Sequence, residues 1–326
     1  MTLHNLFTSN FDMKKFLCKI LSCTLLVIVC AFGLDLFLSD QLRINKNRIY
    51  ATWSQLYNDS TSYDIVINGN SRAWRQYNPL IIDSILGVNS FNLGIDGSGI
   101  NRQIIKYNKY CELHEYPKYV IQNIDLFTMS ITYGYEREQF FPYFYTDRSL
   151  MKMYDKYEMF SFAEKYIPYY RYLISNIRID SILIDNQIAS NENYIRGYLG
   201  SNECFSSVAL DSIFQFECKC DTTALNILVD FLQDEINKGV KIIFVYAPIY
   251  YVACQKMVNE QQMFEMYDGI AKKFDIPILD YNDIPMCYDK TYFYNATHLN
   301  KRGAELFTTK LAHDIDSIWC FNKDVN

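Results

Sequence analysis

The chain has 326 residues, half of them hydrophobic, so it contains enough apolar surface for one large domain or two small ones. This composition excludes a largely disordered chain. The formal net charge is −6, and no basic stripe with interleaved aromatic residues occurs, which argues against a nucleic-acid-binding protein.

The first predicted element is an apolar segment over 16–38, FLCKILSCTLLVIVCAFGLDLFL, which is about as long as a bilayer-spanning helix. Lys14 and Lys15 lie on its N-terminal side. By the positive-inside rule these lysines favour a cytoplasmic tail over 1–15 and an extracytoplasmic domain. We therefore expect a single-pass membrane protein with its domain in the periplasm or outside the cell.

Two observations compete with that interpretation. Basic residues also follow the apolar segment, which weakens the predicted orientation; they are Arg43, Lys46 and Arg48. A cleaved signal peptide is the other interpretation of such a segment, but no small-x-small cleavage site follows it. An uncleaved anchor is the interpretation that we carry forward.

Strands and helices then alternate along the chain. After a polar linker over 39–62, strands are predicted in YDIVING, SFNLGI, KYVIQNID, VKIIFVYAP and IPILD, with amphipathic helices between them. This alternation indicates a flavodoxin-like three-layer α/β/α domain over 63–320, with a mainly parallel five-stranded sheet. Ligands bind such sheets at the carboxyl ends of the strands.

The alternation stops between about 127 and 220. This block is rich in Tyr and Phe and mostly helical in character, as in FFPYFYTDRSLMKMYDKYEMFSFAEKYIPYYRYL. We interpret it as a helical insertion in the α/β domain. Two roles stay open for it: a cap that packs on the sheet, or a cap whose aromatic residues line a substrate groove.

Polar residues follow the predicted strands at the edge where a ligand would bind. Ser71 comes just after the first strand, at the start of a predicted helix, where a serine is more often a helix cap than a nucleophile. Glycines that would allow a close approach of backbone amides follow the second strand; they are Gly94, Gly97 and Gly99. Asn123 and Asp125 end the third strand on one face, and His298 precedes the last helix.

Together these residues supply a nucleophile, oxyanion donors and a general base for acyl transfer. The motifs INGNSR, NLGIDGSG and ATHLNKRG resemble three blocks of the SGNH, or GDSL-like, hydrolase superfamily, over roughly 60–315 apart from the insertion. The resemblance implies that Ser71 attacks an ester and that His298 takes its proton. It also implies that the amides of Ser71 and Gly97 and an Asn side chain hold the oxyanion.

The chain departs from the superfamily pattern in two places. The block that normally reads Gly-x-Asn-Asp is IQNIDLF, so either Asn123 or Asp125 takes the oxyanion position. We favour Asn123 because a carboxylate cannot donate, although strand register favours Asp125. Asn295 stands three residues before His298, where the superfamily usually has Asp, and it can orient the imidazole but brings no charge.

Another acid remains a candidate for supporting the histidine. Asp280 and Asp283 follow the last predicted strand and could reach His298 from a neighbouring strand end. No HExxH motif, metal-spaced cysteine pair or P-loop lysine occurs in the sequence. We therefore expect neither a metal nor a cofactor.

The resemblance and the predicted anchor together imply a function. Such a protein would add or remove O-acyl groups on a cell-envelope polysaccharide or another acylated glycan, and a membrane-bound acyl donor is a candidate partner. The alternative is a catalytically silent module that binds glycan or assists polymer assembly, with Asn295 as the mark of lost chemistry.

Overall fold

The computed structural model describes residues 13–45, 48–131, 137–175, 177, 194–205, 215, 217 and 220–321. Its strands, in chain order, are β1 (Ile65–Asn68), β2 (Ser90–Asn92), β3 (Tyr119–Asn123), β4 (Tyr194–Ile195), β5 (Tyr198–Leu199), β6 (Lys241–Tyr246), β7 (Ile278–Asp280), β8 (Phe293–Asn295) and β9 (His298–Leu299).

The α-helices of the described residues, in chain order, are α1 (Met13–Arg43), α2 (Arg48–Asn58), α3 (Ser71–Gln76), α4 (Pro79–Leu86), α5 (Ile100–Leu113), α6 (Arg148–Lys156), α7 (Phe162–Tyr166), α8 (Tyr170–Leu173), α9 (Thr222–Asn237), α10 (Tyr251–Cys254), α11 (Glu260–Phe274) and α12 (Lys301–Trp319). Short 3₁₀ helices span Arg137–Tyr143, Pro285–Tyr288 and Lys290–Tyr292.

Five strands form one parallel sheet in the order β2-β1-β3-β6-β7. Because parallel sheets are covered on both faces, their strands are continuous apolar runs, and β1 is buried at all four positions. One face packs under α5, α9 and α11, and the other under α3, α4 and α12. The predicted α/β/α fold class is confirmed.

Two turns at the carboxyl edge of this sheet are fixed by asparagine caps. Asn70 caps α3, and its Oδ1 accepts the amide of Arg72 at 3.0 Å. Asn300 caps α12, and its Oδ1 accepts the amide of Gly303 at 3.0 Å. Each cap satisfies a backbone N–H that a helix start leaves without a partner, so both helices begin at defined residues beside the sheet edge.

The segment predicted as a linker, 39–62, is part of the packed structure. Its first residues end α1, and α2 forms most of the remainder. Trp53 and Leu56 of α2 are fully buried, and the Trp53 indole donates to Gln139 Oε1 at 2.7 Å. The apolar face of α2 packs against α5 and the 3₁₀ helix at Arg137–Tyr143. We did not predict this packing, because the face is narrow and most other residues of the segment are polar.

The described part of the insertion contains α6, α7 and α8, together with a hairpin of β4 and β5 that the sequence did not predict. It also holds the end of α1. Arg171 forms an ion pair with Asp35, Tyr172 Oη lies 2.8 Å from Ser39 Oγ, and the amide of Tyr169 donates to Asp35 Oδ2 at 2.7 Å.

Helix α1 is divided by this packing. Its N-terminal two thirds are exposed, whereas Asp35, Leu38, Ser39 and Leu42 are buried against the domain. The helix is long and apolar enough to cross a membrane, and its low burial separates it from the core helix of a soluble protein.

Candidate active site

Ser71 and His298 meet at the carboxyl edge of the sheet. Ser71 is the first residue of α3, directly after β1, and His298 lies in β9, which pairs with β8 just before α12. The Nε2 atom of His298 lies 2.8 Å from Ser71 Oγ, which is the distance of a direct hydrogen bond. Residues 227 positions apart are therefore placed as a nucleophile and its base would be.

Asn295 orients the imidazole through its oxygen atom. The Oδ1 atom of Asn295 accepts the backbone amides of Thr297 (3.0 Å) and His298 (2.9 Å), so this atom is the oxygen and not the amide nitrogen. The same oxygen lies 3.0 Å from His298 Nδ1. Nδ1 therefore carries the proton, and Nε2 is left as the acceptor for the Ser71 hydroxyl.

The imidazole is held in its neutral form. Removal of the ring from water, followed by the positive charges of Arg72 and Arg75, lowers the pKa of His298 to about 3. Asn295 brings no negative charge that would oppose these effects. The ring is thus ready to accept a proton at neutral pH, but its protonated form is poorly stabilised.

A small cavity of about 60 Å³ opens beside the serine and the histidine. Four of the residues that line it are apolar and are called its apolar side below; these are Leu126, Phe127, Ile249 and Met257. Its polar lining consists of Asn70, Ser71, Arg72, Asp125, Thr297 and His298. An acyl carbon that reacts with Ser71 must lie next to this space.

The loops that follow β1 and β2 are tied together. The amide of Leu93 donates to Ile67 O at 2.8 Å, and the amide of Ile95 donates to Gly69 O at 3.1 Å. Gly97 follows on this second loop with φ +58°, in the left-handed region that favours glycine. It is not among the residues that line the cavity. The Ser71 amide, at the first helical position, donates to no acceptor within the described residues.

The two candidates for the oxyanion amide occupy different layers. Asn123 is fully buried beneath the turn at Gly69, and its Oδ1 accepts the hydroxyl of Tyr77 at 2.8 Å. Its Nδ2 points toward Asp125 Oδ2 at 3.5 Å, and Asn123 does not line the cavity. Our preference for Asn123 as a donor to the cavity is therefore not supported by its contacts.

Asp125 does line the cavity, but as an acceptor. Its Oδ1 accepts the amides of Phe127 and Thr128, both at 2.9 Å, and its Oδ2 accepts Asn70 Nδ2 at 2.6 Å. A carboxylate engaged in this way holds the loop after β3 and the cap of α3 in place. It cannot supply a hydrogen to an oxyanion.

Neither alternative acid contacts the histidine. Asp280 Oδ1 accepts the amide of Asn282 at 2.9 Å, and Asp283 Oδ1 accepts the hydroxyl of Tyr288 at 2.6 Å. The ring nitrogen that such an acid would need, His298 Nδ1, is bonded within its own hairpin. Asp280 and Asp283 are thus not brought into the site.

The structure adds residues that the sequence did not single out. Arg72, directly after the serine, is one of the residues that line the cavity, and the Thr297 hydroxyl lies 3.0 Å from His298 Nδ1. Ile249 and Met257 come from the region after β6 and form part of the apolar side. No spacing rule marks these positions, although Asn70 before a helix is a recognisable cap signal.

Ser71, after the first strand, and His298, before the last helix, stand in the chain order that the SGNH resemblance implies. No protein-family model matches the chain, and no curated protein matches its sequence.

Several solved structures are similar at low identity. One is an acylhydrolase from Bacteroides fragilis NCTC 9343, with 12% identity, 81% of this chain and 95% of that chain covered, and a TM-score of 0.40. Another is a lipolytic protein of the G-D-S-L family from Desulfitobacterium hafniense DCB-2, with 12% identity, coverage of 76% and 97%, and a TM-score of 0.38.

A third similar structure is a carbohydrate acetylesterase family member from Sinorhizobium meliloti, with 10% identity, coverage of 78% of this chain and 97% of that chain, and a TM-score of 0.37. At such identities and TM-scores the likeness carries no conclusion about chemistry. The case for a reaction rests on the side chains of the site.

Proposed function

We propose that the protein is a serine acyl hydrolase or O-acyltransferase that is held at a membrane by α1 and acts on short acyl esters of a glycan. The contact between His298 Nε2 and Ser71 Oγ at 2.8 Å carries this proposal. It is supported by the Asn295 oxygen, which fixes the imidazole in the tautomer that a base requires.

In the first half of the proposed reaction, Ser71 Oγ forms a bond to the acyl carbon while its proton passes to His298 Nε2. The carbonyl electrons move onto the acyl oxygen. When they return, the ester C–O bond breaks, and Nε2 returns the proton to the leaving alcohol. In the second half, water or a sugar hydroxyl attacks the acyl-serine with the same base, which gives hydrolysis or transfer.

The dimensions of the cavity favour a short acyl group. The cavity has a volume of only about 60 Å³, and this size limits the acyl group that can enter without movement of the walls. Acetyl and propionyl groups fit this limit, and the apolar side of the cavity suits their alkyl ends. A fatty acyl chain would need the walls to move.

The glycan substrate follows from the placement of the domain. A domain outside the cytoplasm on an uncleaved anchor would meet the polymers of the cell envelope, and a membrane-bound acyl donor would supply the group in the transfer direction. Protease added outside intact cells, with any outer membrane permeabilised, tests the orientation. Digestion of the domain agrees with it, whereas protection would remove envelope polymers as substrates.

The alternative is a catalytically silent glycan-binding or polymer-assembly module. The absence of a carboxylate beside His298 and the low pKa of its ring favour this alternative, because both weaken the base. Such a module would keep the fold and the cavity but would have no reactive serine.

Labelling with a fluorophosphonate probe separates the two functions. The full-length protein in detergent should be labelled, and Ser71→Ala should abolish the labelling. Ser98→Ala is a matched control, because Ser98 is a buried serine on a neighbouring loop whose hydroxyl donates to Ile95 O at 2.9 Å. If the parent protein is not labelled and also fails to hydrolyse p-nitrophenyl acetate, the enzyme proposal is rejected in favour of the silent module.

A further inference from the structure

Arg72, the residue after the proposed nucleophile, is a buried cation at the edge of the cavity. Its side chain is almost completely buried and runs across the carboxyl ends of β3 and β6. Nη2 donates to Ala247 O, and the guanidinium lies over the Tyr246 ring at 4.9 Å from its centroid. The nearest carboxylate contact is 3.8 Å, between Nη1 and Asp125 Oδ2, which is too long for a hydrogen bond.

Two donors of Arg72 are left without an acceptor. Nε and Nη1 are buried and make no hydrogen bond to the described residues. A buried charged donor without a partner costs free energy, because it has lost its hydrogen bonds to water and gained none in the protein. Because Arg72 also lines the cavity beside Ser71, a ligand in that cavity can provide the missing acceptor.

The other polar side chains of the cavity are already engaged. Asn70 donates to Asp125 and accepts from the Arg72 amide, while the Thr297 hydroxyl lies within hydrogen-bond distance of both Asn295 Oδ1 and His298 Nδ1. Asn123, which we preferred over Asp125 as the oxyanion side chain, is bound to Tyr77 below the cavity. Among the described lining residues, Arg72 therefore has two donors without an acceptor, and Asn70 Nδ2 has one hydrogen beyond the one that it donates to Asp125.

The charge around Arg72 indicates which oxygen it would bind. Asp125 lies close enough to balance much of the guanidinium charge, so the cavity does not demand a fully charged anion. A carbonyl oxygen, neutral in the substrate and negative in the tetrahedral intermediate, gains most from such a donor. Interactions that strengthen as charge develops accelerate the chemical step and not only binding.

We propose that the guanidinium of Arg72 donates to the acyl oxygen of the substrate and stabilises the oxyanion, together with the Ser71 amide. Arg72 thereby does the work that the resemblance assigned to an asparagine. This proposal rests on the proposed acyl-transfer function and assigns a further catalytic residue to it.

Turnover of p-nitrophenyl acetate by Arg72→Gln tests the proposal. Loss of one oxyanion donor should lower kcat by about 10²–10³ while KM changes little. Arg75→Gln is the matched control: Arg75 lies on the same short helix and also lowers the pKa of His298, but its guanidinium stacks on Trp74 outside the cavity lining. Because loss of the Arg75 charge also raises the pKa of His298 and removes no oxyanion donor, we expect the kcat of Arg75→Gln to stay level or rise and not to fall.

A role of Arg72 through its charge alone predicts a different result. Without the charge of Arg72 the pKa of His298 would rise, the base would become stronger, and kcat would stay level or increase. An unchanged or higher kcat in Arg72→Gln would therefore overturn the proposal. Arg72→Lys, which keeps the charge and the alkyl stem over Tyr246, carries the test if the Gln variant does not fold, and a smaller kcat loss is expected.

Chemical rescue adds a readout that a packing defect would not give. Methylguanidinium should restore kcat in Arg72→Ala with saturation and should have no effect on Ser71→Ala. Fluorophosphonate labelling of the parent keeps the two proposals distinguishable. If Ser71 is labelled but Arg72 variants retain kcat, only the role of Arg72 is overturned; if Ser71 never reacts, both proposals fall.

Discussion

The two buried arginines Arg72 and Arg171 show how the same side chain serves different ends. Both have an Nε and an Nη1 atom without a hydrogen-bond partner among the described residues. Arg171, however, is in direct contact with Asp35 and is surrounded by aromatic rings; these belong to Phe144, Tyr145 and Tyr172. Arg72 has its carboxylate at 3.8 Å and borders a cavity.

A buried arginine nitrogen without a hydrogen-bond partner therefore does not by itself indicate a binding site. Around Arg171 the carboxylate and the rings occupy the space, so the residue fastens α1 to the insertion. Around Arg72 there is room for a small acyl group and a reactive serine beside it. We expect changes near Arg171 to alter stability and changes near Ser71 to alter rate.

The largest expected effect tests whether Arg171 stabilises the fold. Arg171→Met leaves the Asp35 carboxylate buried without its cation, which should cost about 3–5 kcal/mol of unfolding free energy in detergent. Asp35→Asn combined with Arg171→Met should recover much of this loss. Equal stability of the parent and Arg171→Met, or a lower kcat per folded molecule of the variant, would contradict the claim that Arg171 affects stability and not rate.

The pH profile of kcat/KM tests the electrostatic environment of His298, in the site that contains Arg72. The base must be neutral, so activity is lost only as the pH falls through the pKa of His298, which lies at about 3. Turnover of an activated ester should therefore show no decline from pH 8 to about pH 5. A decline with a midpoint near the ordinary histidine value of about 6.5 would mean that the ring is more hydrated than its contacts indicate.

Replacing Asn295 with Asp should raise kcat by about one to two decades. A carboxylate oxygen in the place of Oδ1 can still accept the two backbone amides and the Nδ1 proton, and its charge stabilises imidazolium. The acidic limb of the pH profile should move to higher pH. His298→Ala in the same background should abolish the gain, and a variant no faster than the parent would show that charge does not limit the base.

Widening the cavity should change acyl-chain preference by roughly tenfold. Met257→Ala removes part of the apolar side and should raise the kcat/KM ratio of p-nitrophenyl butyrate to acetate. Met263→Ala is the matched control, because Met263 is equally apolar and buried in α11 but does not line the cavity. The same shift in both variants would mean that loosening of the structure, and not cavity volume, sets the preference.

The smallest effect is expected at the acids that do not reach the histidine. Asp280→Asn and Asp283→Asn should each change kcat by less than about twofold, because their carboxylates contact Asn282 and Tyr288 instead. A loss of about tenfold or more in either variant would return that aspartate to the site as the supporting acid.

The fold could be predicted because each level of the sequence agrees with it. The apolar strands, the helices between them and the polar residues after each strand all indicate a parallel sheet with a site at one edge. Ser71 and His298 could be paired from their positions in the chain, since strand ends distant in sequence meet at that edge.

The remaining parts of the site depend on side-chain direction, which the sequence does not carry. Asn123 and Asp125 are two residues apart at the end of one strand, and only their partners show that Asn123 is buried below the cavity and that Asp125 accepts several hydrogen bonds. Arg72 gave no signal because a cation after a serine has no fixed spacing rule. The helix α2 was missed because its apolar face is narrow.

The division of α1 sets the geometry between the domain and a bilayer. The exposed stretch from Met13 to Leu34 has 22 residues and is about 33 Å long at a rise of about 1.5 Å per residue, close to the roughly 30 Å of a hydrocarbon core. The next residue, Asp35, forms the ion pair with Arg171. A bilayer around that stretch would end where the domain begins. Because the end of α1 is packed rigidly against the domain, a tilt of the helix in the membrane would rotate the opening of the cavity through the same angle.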